Sequence, residues 1–223
     1  MPCDIGYKSY ARVRVPVPEP QELREEIKPP EIDTDLLDKL GEDDPEFLGW
    51  LQGLDIKPLL EEALRQTIAK IGDLGINVFI SDNGYLVVRS TFRTEEEKRK
   101  IERSVTRFSN QFQMEVLAIV AQLLDYDTQI RNESVSNNLV LEGEKHASLG
   151  VHRYLKVTIG KSGEGSIVFE HFESERALTV EQNKFLGLAE KLGVKIAALE
   201  TRRSGQPIPA GVVHKDFLKE TGK

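Results

Sequence analysis

A chain of 223 residues with 39% hydrophobic and 30% charged residues can bury one large core or two small ones, and it has the composition of an ordinary globular protein. No apolar run approaches the roughly 18 residues of a membrane-spanning helix, and a single cysteine, Cys3, excludes an internal disulfide framework. The net charge of −7 is unevenly placed: residues 19–50 carry twelve Asp or Glu against three Lys or Arg, a local balance of −9, so the rest of the chain stands at +2.

Met1-Pro2-Cys3-Asp4-Ile5-Gly6 shows no basic stretch followed by an apolar one, so a reducing, cytoplasmic setting is expected. Residues 7–15 alternate as a strand does, with Tyr7, Ser9, Ala11, Val13 and Val15 on one face and Lys8, Tyr10, Arg12 and Arg14 on the other. Pro16, Pro18 and Pro20 end it, because proline has no N–H to give to a ladder. After Pro29-Pro30 come two short acidic amphipathic pieces. The first is Thr34 to Leu40, with Leu36, Leu37 and Leu40; the second is Pro45 to Leu51, with Phe47, Leu48, Trp50 and Leu51. Residues 16–56 therefore read as an extended arm with short helical turns, held by docking.

Pro58 suits a first helical turn, and Leu59, Leu60, Ala63, Leu64, Ile68 and Ile71 recur at helical spacing until Gly72 or Gly75 ends the helix. A hairpin is expected from Ile76–Ile80 and Tyr85–Val88 around Ser81-Asp82-Asn83-Gly84, followed by a helix opened by the Thr94/Glu97 capping box. Ile101, Val105, Phe108, Phe112, Val116, Ile119 and Leu123 form the apolar seam of that helix. Beyond Asp125 the period becomes two, predicting strands over 128–133, 138–142, 151–160 and 166–172. A second capping box, Thr179/Gln182, predicts a helix from about Val180 to Leu192, followed by a last strand over 194–199.

This order predicts an α+β fold: an antiparallel sheet with helices packed on one face, two ββα units and an extended N-terminal arm. The parts are 1–56, the strand and acidic Pro-rich arm; 57–201, the α+β body with ββα units at about 76–124 and 154–193; and 202–223, a loop and tail. The repetition of strand, turn, strand and cap predicts that both hairpins share one sheet and both following helices one face of it.

Chemistry is harder to place. His146, His152, His171 and His214 show no HExxH, HxH or Cys-paired spacing, so no metal ligand and no cofactor is assigned. His171, between Glu170 and Glu173, is the candidate acid–base group of an enzyme. Gly160 to Gly165 fits a hairpin turn better than a phosphate cradle, since it joins two strands and contains Glu164. Lys8, Tyr10, Arg12 and Arg14, with Arg99, Arg103 and Arg107, are the candidates for nucleic acid, which the acidic arm would oppose. Phe47, Leu48, Trp50 and Leu51 place aromatic anchors within acidic flanks, a common way for a segment to enter a basic-rimmed groove. The expectation is thus a non-catalytic scaffold or subunit, contacting a protein partner or a second copy through its arm and long helix. An enzyme using His171 and a nucleic-acid-binding protein are the alternatives.

Overall fold

The computed structural model describes residues 6–14, 26–27, 32–72, 75–81, 85–90, 92, 95–133, 136–146 and 152–204; in 6–14, 26–27, 95 and 197–204 the description is of the backbone. In chain order the first elements are β1 (Gly6–Arg14), β2 (Glu26–Ile27), α1 (Thr34–Asp43), α2 (Pro45–Gly53), α3 (Lys57–Ile71), β3 (Asn77–Ile80) and β4 (Leu86–Arg89). They are followed by α4 (Glu95–Leu123), β5 (Asp127–Glu133), β6 (Asn138–His146), β7 (His152–Ile159), β8 (Glu164–Phe172), α5 (Glu175–Lys191) and β9 (Ile196–Ser204). The fold is α+β, with both sheets antiparallel.

The larger sheet has six strands in the order β5-β6-β7-β8-β1-β9. β7 and β8 are joined by the turn Gly160–Gly163, closed by the Gly163 N–H to Gly160 C=O bond and helped by positive φ at Gly163. Leu141, Leu155, Val157, Ile159, Ile167 and Phe169 point to one face, where they are buried with Phe112, Leu117, Leu178, Phe185 and Leu188 of α4 and α5. Phe169 meets Phe185 edge to face at 5.5 Å.

The hairpin β3–β4 does not join this sheet. With β2 it forms a separate three-stranded sheet, β2-β4-β3, so the two hairpins are not equivalent units of one sheet. Strand grammar fixes a hairpin but not its lateral partner, and here β8 takes β1, while β4 takes β2. Val88, Ile101 and Val105 form a small core beneath the three-stranded sheet, and Phe108 to Ala121 are buried throughout, so α4 serves both cores.

Other boundaries also differ from those the sequence predicts. α5 begins at Glu175, four residues before Thr179, because the Ser174 hydroxyl accepts the Ala177 N–H at 3.1 Å. Thr179 lies inside the helix, its hydroxyl donating to the Glu175 carbonyl at 2.9 Å. On α3 the seam is Leu60, Ala63, Leu64 and Thr67, while Ile68 is exposed. β9 runs to Ser204, past Arg202, where a loop was expected. The Thr94 cap, the 82–84 turn, Pro16 to Pro20, Pro29-Pro30, Cys3, His214 and the tail beyond 204 lie outside the described residues.

Residues 34–53 dock on α5. Leu40 and Leu51 are fully buried, and a Cβ on Gly187 would come within 2.8 Å of Leu40 and 3.2 Å of Leu51. The Asp33 N–H donates to Glu190, and Lys184 pairs with Asp44 at 2.6 Å. Gly187→Val is expected to destabilise the fold by about 1–3 kcal/mol through overpacking. Thermal denaturation, with limited proteolysis reporting cleavage first within 34–53, checks this.

Candidate functional sites

Asp44 positions the arm's aromatic residues. Its carboxylate caps α2 by accepting the Phe47 N–H at 3.0 Å, and it pairs with Lys184. The Lys184 hydrogen bond, then the Phe47 N–H, hold its carboxyl below the usual range. The Lys184 ammonium also lies over the Phe47 ring, 5.0 Å from its centroid. Leu51 is buried, Phe47 and Leu48 are half-buried, and these three fasten the helix to the body. Trp50, tilted against Phe47 with ring centroids 5.4 Å apart, is left 42% exposed. Beside it Gly49 and Gly53 are exposed, and a Cβ on either would meet nothing within 4 Å.

His171 sits in a β-bulge. Tyr7 pairs with Phe172 and Ser9 with Phe169, so Glu170 and His171 together stand against Lys8. The bulge takes His171 to φ 64 and lets Phe169 and Phe172 both enter the core. Glu170 and His171 are half-buried and line a depression of about 720 Å³ with Tyr154, Glu142, Glu144 and Lys156. His171 meets the Tyr154 ring edge to face at 5.1 Å, and its Nε2 is 3.9 Å from Glu170, beyond a hydrogen bond. Glu173 is not part of this group: it is held by the Arg153 guanidinium. Burial is the largest single influence and raises its pKa, but the Arg153 hydrogen bonds and charge, with a backbone hydrogen bond, together lower it overall.

Arg153 belongs to a clamp on the inner side of the sheet. Lys145 and Arg153 are cross-strand partners, and both reach Glu181 of α5, at 3.0 and 3.5 Å. Glu181 is almost completely buried. The nearby Tyr126 hydroxyl is pushed well above its ordinary pKa, first by burial and then by the Glu181 charge.

On the outer side of the same strand pair stand Glu144, His146 and His152. Glu144 pairs with Tyr154 and His146 with His152 across β6 and β7. One ligand atom from each of the three lies within 4.8 Å of the others. His152 Nδ1 contacts the Glu144 carboxylate, and this contact, more than any other influence, holds the carboxyl below its ordinary range. The spacing Glu-x-His-x5-His matches no helical or Cys-based motif, so the sequence alone does not single it out. It becomes legible once 138–146 and 152–159 are paired as a hairpin.

The basic residues divide. Lys8, Tyr10, Arg12 and Arg14 occupy an interior strand, Tyr10 opposite Val168 and Glu200, and Arg14 opposite Glu164. Arg103 and Arg107 of α4 instead line a groove of about 950 Å³ with Lys161, Asn110 and Asn132, and Arg99 does not line it. Arg131 and Lys70 also line it, but are paired with Glu142 and Glu115. Among the described residues no carboxylate pairs with Arg103, Arg107 or Lys161.

No comparison yields a relative. The chain matches no protein-family model, no curated protein and no solved structure. Among the described residues no helix is long and apolar enough to cross a membrane.

Asp44 gives a pH-dependent expectation. Because its folded pKa lies below the unfolded 3.8, its contribution is complete above that value and is lost as pH falls through the lowered folded one. Asp44→Ala is expected to cost about 1 kcal/mol at neutral pH, chiefly through the lost cap. The deficit relative to the unsubstituted protein should shrink in acid, as read by urea denaturation at a series of pH values.

Proposed function

We propose that this chain is a non-catalytic, cytoplasmic subunit that binds a protein partner through the exposed face of α2. The observation that carries this reading is the pairing of an exposed Trp50 with a bare helical ledge. Phe47, Leu48 and Leu51 already fasten α2, so the fold does not need Trp50 as an anchor. A glycine inside a helix costs about 1 kcal/mol against alanine, and Gly49 has neither a neighbour to avoid nor a positive φ to accommodate. Its use is to let another backbone approach beside the indole.

Residues 34–53 hold six Asp or Glu against one Lys, so the partner surface that fits is an apolar pocket with a basic rim. Trp50→Ala should change stability by less than about 0.5 kcal/mol while weakening the partner at least about 10-fold. Gly49→Ala should raise stability by up to about 1 kcal/mol and still weaken binding. Untagged purification with quantitative mass spectrometry of accompanying proteins, and light scattering for a second copy, reads both. Equal recovery of every accompanying species with Trp50→Ala, and an unchanged mass, would discard the reading.

A second reading rests on Arg103, Arg107 and Lys161, three cations without carboxylate partners in one groove. Like charges four apart on a helix are unfavourable, and an anionic ligand such as a single-stranded nucleic acid would relieve them. Arg103→Ala with Arg107→Ala should then flatten the salt dependence of oligonucleotide binding by about one to two units of log–log slope. Absence of binding at low salt would remove this reading.

A further inference from the structure

We propose that Glu144, His146 and His152 form a binding site for a divalent transition-metal ion of the zinc type. The three come from one strand pair: Glu144 and His146 are two apart on β6, and His152 lies directly across from His146 on β7. Their rings and carboxylate already converge, with the imidazoles 4.4 Å apart edge to face and one donor atom of each residue within 4.8 Å of the others.

Two imidazoles and one carboxylate are a nitrogen–oxygen set that suits zinc, cobalt or nickel rather than the all-oxygen shells of calcium and magnesium. Bonds of about 2.0–2.1 Å around a tetrahedral ion place donors about 3.3 Å apart. Glu144 and His152 are each two-fifths exposed, so both can turn to close the remaining distance. Three protein ligands leave the fourth position open to water or substrate.

The surroundings are those of a held site. The Tyr154 hydroxyl donates to the Glu144 oxygen that also contacts His152, at 3.4 Å, and so can orient the carboxylate from outside the coordination shell. Behind the ligands, on the inner face, Lys145 and Arg153 are fixed to Glu181, which sets the register of the strands carrying the site. Glu144 and Tyr154 also line the depression that holds Glu170 and His171, so the open position lies beside polar groups.

The test uses the full chain, stripped with EDTA and desalted, and titrated with ZnCl2 by calorimetry and with CoCl2 by visible absorption. One equivalent of zinc and the d–d bands of a low-coordinate cobalt(II) are expected. His146→Ala with His152→Ala should abolish that equivalent, Tyr154→Phe should weaken it about 10-fold, and MgCl2 should give no heat. A thermal shift with zinc should occur in the unsubstituted chain and not in the double variant. Equal zinc binding by the double variant, or loss of the signal in Cys3→Ala with His214→Ala instead, would overturn the assignment. So would absence of any binding to the unsubstituted chain. If the double variant is unfolded without metal, His152→Gln alone is used, with the same outcomes decisive.

Discussion

The fold turns on one buried carboxylate. Glu181 is 5% exposed in the middle of α5, a position tolerable for an ionised group only if its charge is met. Lys145 and Arg153 meet it from adjacent strands, and Arg153 continues to Glu173 just before α5 begins. The helix is therefore tied at its start and along its length to the end of β6–β7 that carries Lys145 and Arg153. Without either cation an uncompensated charge would remain in the interior, a situation that costs about 3–5 kcal/mol. Further along α5, Lys184 and Gly187 receive α1 and α2. The acidic helices thus depend on α5, and α5 on the clamp.

α4 joins what the two sheets would otherwise keep apart. Its first half covers the small core of Val88 and Val105, and its second half is buried on every side. That burial includes Glu115, whose charge is met by Lys70 at 2.8 Å and by the Gln111 amide at 2.5 Å. A helix of 29 residues at about 1.5 Å per residue is about 43 Å long, enough to span both cores as one rigid element.

Most elements were legible because their signals are local. Period-two runs marked β5 to β8, the Val/Phe/Ile seam marked α4, and Pro58 with Gly72 bracketed α3 closely. Three things resisted local reading. The Thr179 box resembled a helix start, but Ser174 offered an earlier cap and the turn between them closed as helix. Ile68 matched the apolar spacing of α3, yet the helix rolled to bury Thr67, whose hydroxyl is satisfied by the Ala63 carbonyl at 2.7 Å. The pairing of the two hairpins with different partners depends on β1 and β2, which lie far from both in sequence. The candidate sites follow the same rule. Trp50 among acids stood out in the sequence, whereas His146 and His152 meet only through strand register, and the His171 bulge exists only because β8 must fit β1.

The place of β1 between β8 and β9 has a consequence for synthesis on the ribosome. The strand is made before both of its hydrogen-bonding partners, 164–172 and 196–204, which follow about 150 and 180 residues later. At about 5–20 residues per second, β1 waits about 8–30 s with both edges unpaired. Such an edge invites pairing with other chains, and Lys8, Arg12 and Arg14 on the strand, with the prolines and carboxylates that follow, resist it. Charge in the first fifty residues therefore has a use before the protein is folded, apart from any use it has afterwards.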